Sequence, residues 1–245
     1  MSAPVAVIPS RYAAQRFPGK PLALINGKAM VQHVVERCHE AKCFSRVIVA
    51  TDDERISAVV LRFGGEAMMT SSSCTSGTDR VAEVAERLSL AGETVVINVQ
   101  GDEPAVHPQS LAALAKAFDD PSVEMATLVR ALREDERANP NVVKAVLDEA
   151  RNALYFSRAD IPFARVDAQA PRWAHLGLYG YRARVLARLA ALPPTLLEKT
   201  ESLEQLRALG HGVRIACRVT IHSSQAVDRR EDVPLAEAAL ARLNS

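Results

Sequence analysis

Short apolar runs alternate with amphipathic segments through the first half of the chain, and this alternation constrains the fold most strongly. Short apolar runs bounded by Gly or Pro predict buried strands, and apolar residues at helical spacing predict helices. The predicted strands are Val5–Ile8, Val47–Ala50, Ala67–Met69 and Val95–Val99. The predicted helices are Met30–Cys38, Glu54–Phe63, which Gly64 and Gly65 close, and Thr78–Leu88. This order predicts parallel strands joined by right-handed helical crossovers.

The second half of the chain is less regular. Its predicted strands are Met125–Val129, Val142–Leu147, Leu178–Tyr181 and Val213–Cys217. Its predicted helices are Arg182–Ala191, Lys199–Leu209 and Glu231–Leu243. The stretch Phe163–Ala174 carries Pro, Ala and polar residues, and we interpret it as a flexible lid or a dimer-facing loop.

Composition excludes several classes of protein. The chain has 245 residues, 48% of them hydrophobic, and a net charge of +1. A near-neutral charge gives no general attraction to nucleic acid or to a membrane, so any anion must be bound locally. No apolar stretch approaches the ~20 residues of a membrane span. With no signal-peptide pattern and no C-x-x-C pair among the four cysteines, we expect a cytoplasmic protein.

A cationic loop follows the first predicted strand. Arg11, Arg16 and Lys20 lie within ten residues of one another, and Pro18 and Gly19 break the loop. In open α/β sheets the ligand crevice lies at the carboxyl ends of the strands, where Arg and Lys can hold phosphate. The spacing does not match the Gly-x4-Gly-Lys-Ser/Thr phosphate loop. A solvated basic loop is the alternative.

Other predicted strands end in polar or acidic residues. Asp102 and Glu103 follow one strand within Gln100-Gly101-Asp102-Glu103-Pro104, and hard carboxylate oxygens suit magnesium. Asp52 and Asp53 follow another strand, where an Asp could equally cap a helix. Ser76-Gly77-Thr78-Asp79-Arg80 precedes a helix, where backbone N–H groups can face an anion. The alternative interpretation of the stretch 100–104 is a polar turn, and that of the stretch 76–80 is an ordinary helix cap.

Together these stretches resemble the motifs of sugar nucleotidyltransferases, in particular the 3-deoxy-manno-octulosonate (Kdo) cytidylyltransferases, or CMP-Kdo synthetases. The resemblance runs from about Val5 to Asp232, with the motifs in family order. The resemblance also indicates Asp228 as a candidate site residue, because Val227-Asp228 matches the family motif. The neighbouring Ala226, Arg229 and Arg230 stand where the family has Gly, Thr and Pro.

The resemblance implies a fold and a domain plan. The fold is a Rossmann-like α/β sheet, mixed but mostly parallel, of the glycosyltransferase-A-like nucleotidyltransferase type. The single domain, 1–245, would comprise a nucleotide-binding half (about 1–130), an acceptor-binding and dimerisation part (about 131–225), and a closing metal loop and helix (226–245). The family implies a homodimer.

The resemblance also implies roles for individual residues. Those expected at the nucleotide are Arg11, Arg16, Lys20, Asp52, Ser76, Gly77, Arg80 and Gln100. Those expected at the acceptor are Gln100, Tyr155, Ser157, His175, Tyr179, Glu204 and Gln205. The expected catalytic residues are Lys20, Arg11, Asp102 and Asp228, of which Asp102 and Asp228 are the implied ligands of Mg²⁺.

The implied reaction is transfer of CMP from CTP to the anomeric hydroxyl of Kdo, with release of pyrophosphate, in lipopolysaccharide biosynthesis. Two alternatives stay open. The acceptor could be a different acid, such as 8-amino-Kdo or a phosphonate such as phosphonoformate in a secondary pathway. Outside enzymes, the chain could be a nucleotide sensor without turnover, although a pure sensor has no reason to keep both Lys20 and Asp102.

Overall fold

The computed structural model describes residues 3–13, 16–74, 76–166 and 171–243. Nine of the described strands form one sheet, and seven of them lie in the order β11-β7-β10-β6-β1-β4-β5. The bounds of these seven are β1 Val5–Pro9, β4 Arg46–Thr51, β5 Glu66–Met69, β6 Val95–Asn98, β7 Met125–Ala131, β10 Trp173–Arg182 and β11 Ile215–Val219. The strands β8 Lys144–Leu147 and β9 Ala153–Ser157 extend the sheet beside β10, and β2 Leu24–Ile25 and β3 Lys28–Ala29 form a separate hairpin.

The sheet is mixed and mostly parallel, which confirms the predicted fold class. Strands β6, β1, β4 and β5 are parallel neighbours, and β11 runs parallel to β7. Strand β10 runs antiparallel to both β6 and β7 and joins the two parallel sets. The carboxyl ends of β1, β4, β5, β6 and β11 therefore face the same edge of the sheet.

Helices cover both faces of the sheet. The described helices are α1 Met30–Glu40, α2 Glu54–Arg62, α3 Gly77–Arg87, α4 Pro108–Lys116, α5 Ala183–Ala191, α6 Leu196–Glu201, α7 Gln205–Gly210 and α8 Val233–Leu243. Alternate residues of β1 enter different cores: Val5 and Val7 pack with the residues of α3 and α5, and Ala6 and Ile8 with those of α1 and α4. Burial on both faces explains why this strand is a continuous apolar run. None of the described helices is long and apolar enough to cross a membrane.

A third, smaller core lies beside the cationic loop. Phe17 of that loop packs with Val227 and with Ala236 and Leu240 of α8. The closing helix therefore anchors two segments that lie far apart in the sequence, 10–20 and 220–229.

The structure corrects one predicted helix and adds elements that the pattern missed. The single helix predicted over Lys199–Leu209 is wrong, because the chain forms α6 and α7 with a left-handed Ser202 (φ 53°) between them. Arg158 explains the break, since its guanidinium donates to the carbonyl oxygens of Glu201 (2.8 Å) and Ser202 (3.3 Å). Helix α4 and strand β9 were not predicted. The predicted lid or dimer-facing loop lies partly outside the described residues, and its last two residues belong to β10.

Candidate active site

A cavity of about 500 Å³ opens at the edge of the sheet where the parallel strands end. Its walls come from the segments that follow β1, β5, β6 and β11, together with the start of α3 and the residue before α7. The residues that line it are Pro9, Ser10, Arg11, Ala13, Arg16, Phe17, Lys20, Pro21, Cys74, Ser76, Gly77, Arg80, Gln100, Gly101, Asp102, Glu204 and Asp228. The topology thus brings residues of the predicted nucleotide set and of the predicted acceptor set to a single crevice.

The cationic loop folds back on itself so that its charges meet at this cavity. Gly19 is left-handed (φ 72°), and its N–H donates to the carbonyl oxygen of Tyr12 at 2.9 Å. A side chain is strained at such a φ, which explains the glycine. A short 3-10 turn, Lys20–Leu22, begins at the next residue with Pro21 in its first turn. Arg11, Arg16 and Lys20 all line the cavity as a result.

Lys20 lies between the two carboxylates predicted to bind metal. Its ammonium is 2.7 Å from Asp102 Oδ2 and 3.6 Å from Asp228 Oδ1. The Arg16 guanidinium lies 3.5 Å from the other oxygen of Asp228. The two carboxylates therefore converge on one cation.

This donor set fits magnesium. Magnesium usually takes one or two carboxylates and completes its shell with water and phosphate oxygens. Among the residues that the structure describes, no group of three or more His, Cys, Asp or Glu side chains could hold a metal by itself. A metal at this place would consequently need oxygen atoms from a bound substrate or water.

The loop of Asp228 keeps an ordered conformation although Arg229 and Arg230 replace the family's Thr and Pro. One carboxylate oxygen of Asp232 accepts the backbone N–H groups of Asp228 and Arg229, each at 2.8 Å. Asp232 thus fixes the turn in front of helix α8.

Arg80 connects the segments that follow β4 and β5. Its side chain is buried, with one nitrogen 2.9 Å from Asp52 Oδ2 and another donating to Thr70 Oγ1. Asp52 therefore orients Arg80 instead of lining the cavity itself. Asp53, the next residue, accepts the backbone N–H of Arg55 and caps α2, as the alternative for this stretch predicted.

Ser76 caps helix α3 and also lines the cavity. Its hydroxyl accepts the N–H of Asp79 (3.1 Å) while Asp79 accepts the N–H of Ser76 (3.0 Å), which makes a capping box at the start of α3. Ser76 and Gly77 also line the cavity. The helix-cap interpretation is confirmed, and the nucleotide role of these residues stays a prediction. Thr75 lies outside the described residues.

The predicted acceptor residues divide into three groups. Gln100 and Glu204 line the main cavity. Tyr179 and Gln205 line a smaller cavity of about 30 Å³, which Glu204 also lines. Thr78 donates to Glu204 at 2.9 Å, and burial raises the pKa of this carboxyl.

Tyr155, Ser157 and His175 line neither cavity. The Ser157 hydroxyl donates to Glu201 at 2.6 Å, and Tyr155 also bonds to Glu201. The His175 ring packs edge-on against Phe156, and its Nε2 lies 2.9 Å from Thr127 Oγ1. Burial lowers the pKa of His175 to about 3, so the ring is neutral at ordinary pH.

The structure adds residues to which the sequence analysis assigned no site role. Cys74 lines the cavity, and its thiol donates to Glu83 at 3.1 Å. Burial and the Glu83 carboxylate raise the pKa of this thiol to about 11, so it stays protonated.

Glu103 accepts a hydrogen bond from Ser224, and burial raises its pKa to about 7. Glu103 stood beside Asp102 in the acidic motif, but Ser10 and Cys74 gave no signal of their own.

Comparison with known proteins gives one consistent relationship. The cytidylyltransferase family profile matches residues 5–215. The 3-deoxy-manno-octulosonate cytidylyltransferase of Myxococcus xanthus is 55% identical over 235 residues, 96% of this chain and 95% of that protein. The 8-amino-3,8-dideoxy-manno-octulosonate cytidylyltransferase of Shewanella halifaxensis is 46% identical over 238 residues, 96% of this chain and 97% of that protein.

A solved structure agrees with these relatives. The structure of a CMP:2-keto-3-deoxy-manno-octonic acid synthetase complexed with CTP superposes with a TM-score of 0.93 at 41% identity, covering 98% of this chain and 99% of that one. Membership of this group of nucleotidyltransferases implies a divalent metal in general. The family profile and the relatives cover almost the whole chain, so this chain belongs to the cytidylyltransferase family, in the group of the 3-deoxy-manno-octulosonate cytidylyltransferases.

Proposed function

We propose that the protein transfers CMP from CTP to the anomeric hydroxyl of the 3-deoxy-ulosonic acid Kdo and releases pyrophosphate. The observation that carries this proposal is the convergence of Arg11, Arg16 and Lys20 with Asp102 and Asp228 in one cavity. In the reaction the anomeric oxygen forms a bond to the α-phosphorus, the bond from the α-phosphorus to the bridging oxygen of pyrophosphate breaks, and the hydroxyl proton passes to water.

The three cations are the groups that would hold the triphosphate. Negative charge develops on the phosphoryl oxygens and on the leaving pyrophosphate, so catalysis of phosphoryl transfer consists largely of positioning and electrostatic stabilisation. Arg11 and Arg16 can donate to two oxygens at once, and Lys20 supplies a point charge. The exposed side chain of Arg16 can turn from Asp228 toward a phosphate at little cost, because such ion pairs contribute little.

We propose Mg²⁺ as the metal, held by Asp102 and Asp228. The ion would supply positive charge to the phosphate and acceptor oxygens and could lower the pKa of the acceptor hydroxyl. Lys20 now bridges the two carboxylates and would be free to bind phosphate once they hold the metal. The hydroxyl needs no dedicated side-chain base under this arrangement.

We assign the cytosine and ribose to the wall formed by Ser76, Gly77 and Arg80, with Asp52 orienting Arg80. A site that hydrogen-bonds one base edge leaves buried polar groups unpaired when another base enters. We therefore expect CTP to be used in preference to UTP.

We assign the sugar acid to the part of the cavity that Gln100 and Glu204 line, next to the start of α3, where Thr78 donates to Glu204. Both side chains can accept hydrogen bonds from sugar hydroxyls. The placement of Tyr179 and Gln205 beside Glu204 supports a role for them around the same group. Tyr155, Ser157 and His175 lie further from the cavity walls, and their acceptor role remains a proposal.

A second acceptor is favoured by a specific observation. Relatives named for the 8-amino acid match this chain at 46–47% identity, and relatives named for Kdo match it at 47–55%. Glu204 is a carboxylate at the acceptor wall and could pair with an ammonium group. The acceptor could therefore be 8-amino-Kdo.

The test is pyrophosphate release with CTP or UTP, Mg²⁺ and a panel of acids. We expect release with CTP and Kdo, and a kcat/KM at least tenfold lower with UTP, as for loss of about 1.4 kcal/mol of transition-state binding. Equal values for CTP and UTP would contradict the base assignment. A preference for 8-amino-Kdo or for a phosphonate would identify that acid, in place of Kdo, as the acceptor. Binding of CTP without turnover on any acid would indicate a nucleotide sensor.

We also propose, from family membership, a cytoplasmic homodimer that acts in lipopolysaccharide biosynthesis. The division of the chain into nucleotide-binding, acceptor and closing parts is a proposal on the same basis. Light scattering of the purified protein, which would give about twice the chain mass of 26.5 kDa for a dimer, tests the assembly.

A further inference from the structure

The segment that leads to Asp228 runs back along the segment that follows Asp102. Contacts between them pair residues in opposite order, as in an antiparallel ladder, although neither segment is a strand. We call this set the cross-loop zipper, and it consists of Thr220 with Ser110, His222 with His107, Ser224 with Glu103, and Val227 with Asp102.

The two ends of the zipper are hydrogen bonds. At the far end, the buried hydroxyls of Thr220 and Ser110 lie 2.9 Å apart. At the end nearest the cavity, the N–H of Val227 donates to the carbonyl oxygen of Asp102 at 2.9 Å. This second bond joins the backbones of the two carboxylate-bearing loops directly, one residue before Asp228.

The middle of the zipper is a stacked pair of histidines. The rings of His107 and His222 lie 3.4 Å apart between centroids and 4° from parallel. Gln109 binds both rings: its N–H donates to His107 Nδ1 (3.1 Å), and its side-chain oxygen lies 3.0 Å from His222 Nε2. An acceptor role for His107 Nδ1 requires that atom to be unprotonated, so the observed geometry needs a neutral His107 ring.

We propose that the His107–His222 stack is a positioning element that keeps Asp228 near Asp102, and that it loosens when His107 becomes protonated. Neither ring contacts the cavity, so both act through the loops and not on a substrate. The proposal rests on the function proposed above, because it assigns the Asp102–Asp228 arrangement to metal binding.

The charges around the stack support the direction of this pH dependence. The groups that face His107 are His222 and, from helix α1, Arg37, which is itself paired with Glu40 at 2.6 Å. Burial, followed by the neighbouring His222 and Arg37, lowers the pKa of His107. The folded protein then binds fewer protons here than the unfolded chain, so the stabilisation from the stack falls as the pH drops below about 6.5.

Amide hydrogen exchange in the protein without metal or nucleotide tests the stack directly. The Val227 amide, bonded to Asp102, reports the zipper, and the Val99 amide, bonded to Val7 at 3.0 Å, serves as the internal control. In His222→Ala we expect exchange at Val227 to be roughly threefold to tenfold faster, the range for loss of one stacked pair, with no change at Val99. His222→Phe keeps a ring on His107 and should restore the protection. His39→Ala, which removes an exposed histidine from α1, should change neither amide.

The pH profile and the metal dependence complete the test. After correction for intrinsic exchange, protection at Val227 should decrease from pH 7.5 to pH 5.5 in the wild type and decrease less in His222→Phe. The Mg²⁺ concentration for half-maximal pyrophosphate release should rise several-fold in His222→Ala, with kcat at saturating Mg²⁺ within about twofold of wild type.

Two results would overturn the proposal. Exchange at Val227 that is unchanged, or that accelerates equally with Val99, would mean that the stack does not hold the loops. Faster exchange with an unchanged Mg²⁺ requirement would mean that the stack is structural only. Absence of pyrophosphate release from the wild type would instead refute the proposed function, and exchange with and without CTP and Mg²⁺ would still decide whether the zipper holds the loops at a ligand site.

Discussion

Lys20 Nζ lies 2.7 Å from Asp102 Oδ2, and this contact joins the loop that follows β1 to the loop that follows β6. Only 14% of the Lys20 side chain and 31% of the Asp102 side chain are exposed, so water screens the pair less than it screens a surface ion pair. Removal of Lys20 would therefore leave the Asp102 carboxylate without this ion pair, whereas removal of Asp102 would leave Lys20 with Asp228 alone, at 3.6 Å. Both are consequently the most informative positions for mutagenesis.

Asp102→Asn should abolish most turnover while leaving the fold intact, because the change is nearly isosteric and lies in a loop. It removes one anionic ligand from the proposed metal site and one counter-charge from Lys20. We expect kcat to fall by about two orders of magnitude or more, the scale for loss of one electrostatic stabiliser. Steady-state kinetics over a range of Mg²⁺, with circular dichroism as the check on folding, measure this. A rate within a few-fold of wild type at saturating Mg²⁺ would exclude Asp102 as the ligand.

Lys20→Ala should cost far more activity than Lys28→Ala, although both lysines follow a glycine. Lys20 lines the cavity, whereas Lys28 lies in the β2–β3 hairpin and pairs with Glu36 at 2.8 Å on the surface. Loss of a charge-assisted contact to phosphate costs about 1.5–3 kcal/mol, or roughly 10- to 100-fold in kcat/KM for CTP. An exposed ion pair contributes only about 0.2–1 kcal/mol.

The two variants remove the same charge from the same protein, so each controls for the other. Kinetics with CTP as the varied substrate decide between them. Equal damage from both substitutions would mean that the cationic loop does not hold the triphosphate.

The sequence predicted those parts of the molecule in which local pattern and topology agree. Strand β1 was predicted from its apolar run, and the placement of Lys20 near Asp102 followed from the rule that parallel strands end at one edge of the sheet. Gly19, which is left-handed, and Pro21 determine the conformation of the cationic loop from its own sequence. These signals need no information from distant segments.

Other features depend on contacts between residues far apart in sequence, and the sequence pattern could not reveal them. Ser202 interrupts a segment with apolar residues at helical spacing, because Arg158, the residue after β9, donates to the carbonyl oxygens of Glu201 and Ser202. The positions of His107 and His222 in the sequence form no pattern, and only the folded chain brings their rings together. The Nε2 of His175 lies beside Thr127, a contact that no local pattern around His175 indicates.

Gly101→Ala should disturb the loop that carries Asp102. A Cβ at this position would lie 2.7 Å from the carbonyl oxygen of Pro9 and 2.8 Å from Ser10 Oγ, closer than atoms can approach. We expect a loss of about 1–3 kcal/mol in the free energy of unfolding, as for overpacking elsewhere, together with a lower kcat/KM. Gly177→Ala is the matched control, because a Cβ there meets nothing within 4 Å. Urea unfolding of both variants compares them, and equal stability would mean that the β1 and β6 loops can separate without cost.

In His175→Gln the free energy of unfolding should depend less on pH than in the wild type. The decrease of kcat at low pH should be the same in both proteins. The folded pKa of about 3 lies below the ordinary value of about 6.5, so the folded protein binds fewer protons than the unfolded chain between these values. The wild type therefore loses stability as the pH falls below about 6.5, by about 1–2 kcal/mol at pH 5 from this residue. Gln cannot titrate and can still bond to Thr127, so the variant should lose less between pH 7 and pH 5. His39→Gln, on the exposed side of α1, should keep the wild-type slope. A raised KM for Kdo in His175→Gln, with the slope of stability unchanged, would instead support the predicted contact with the acceptor.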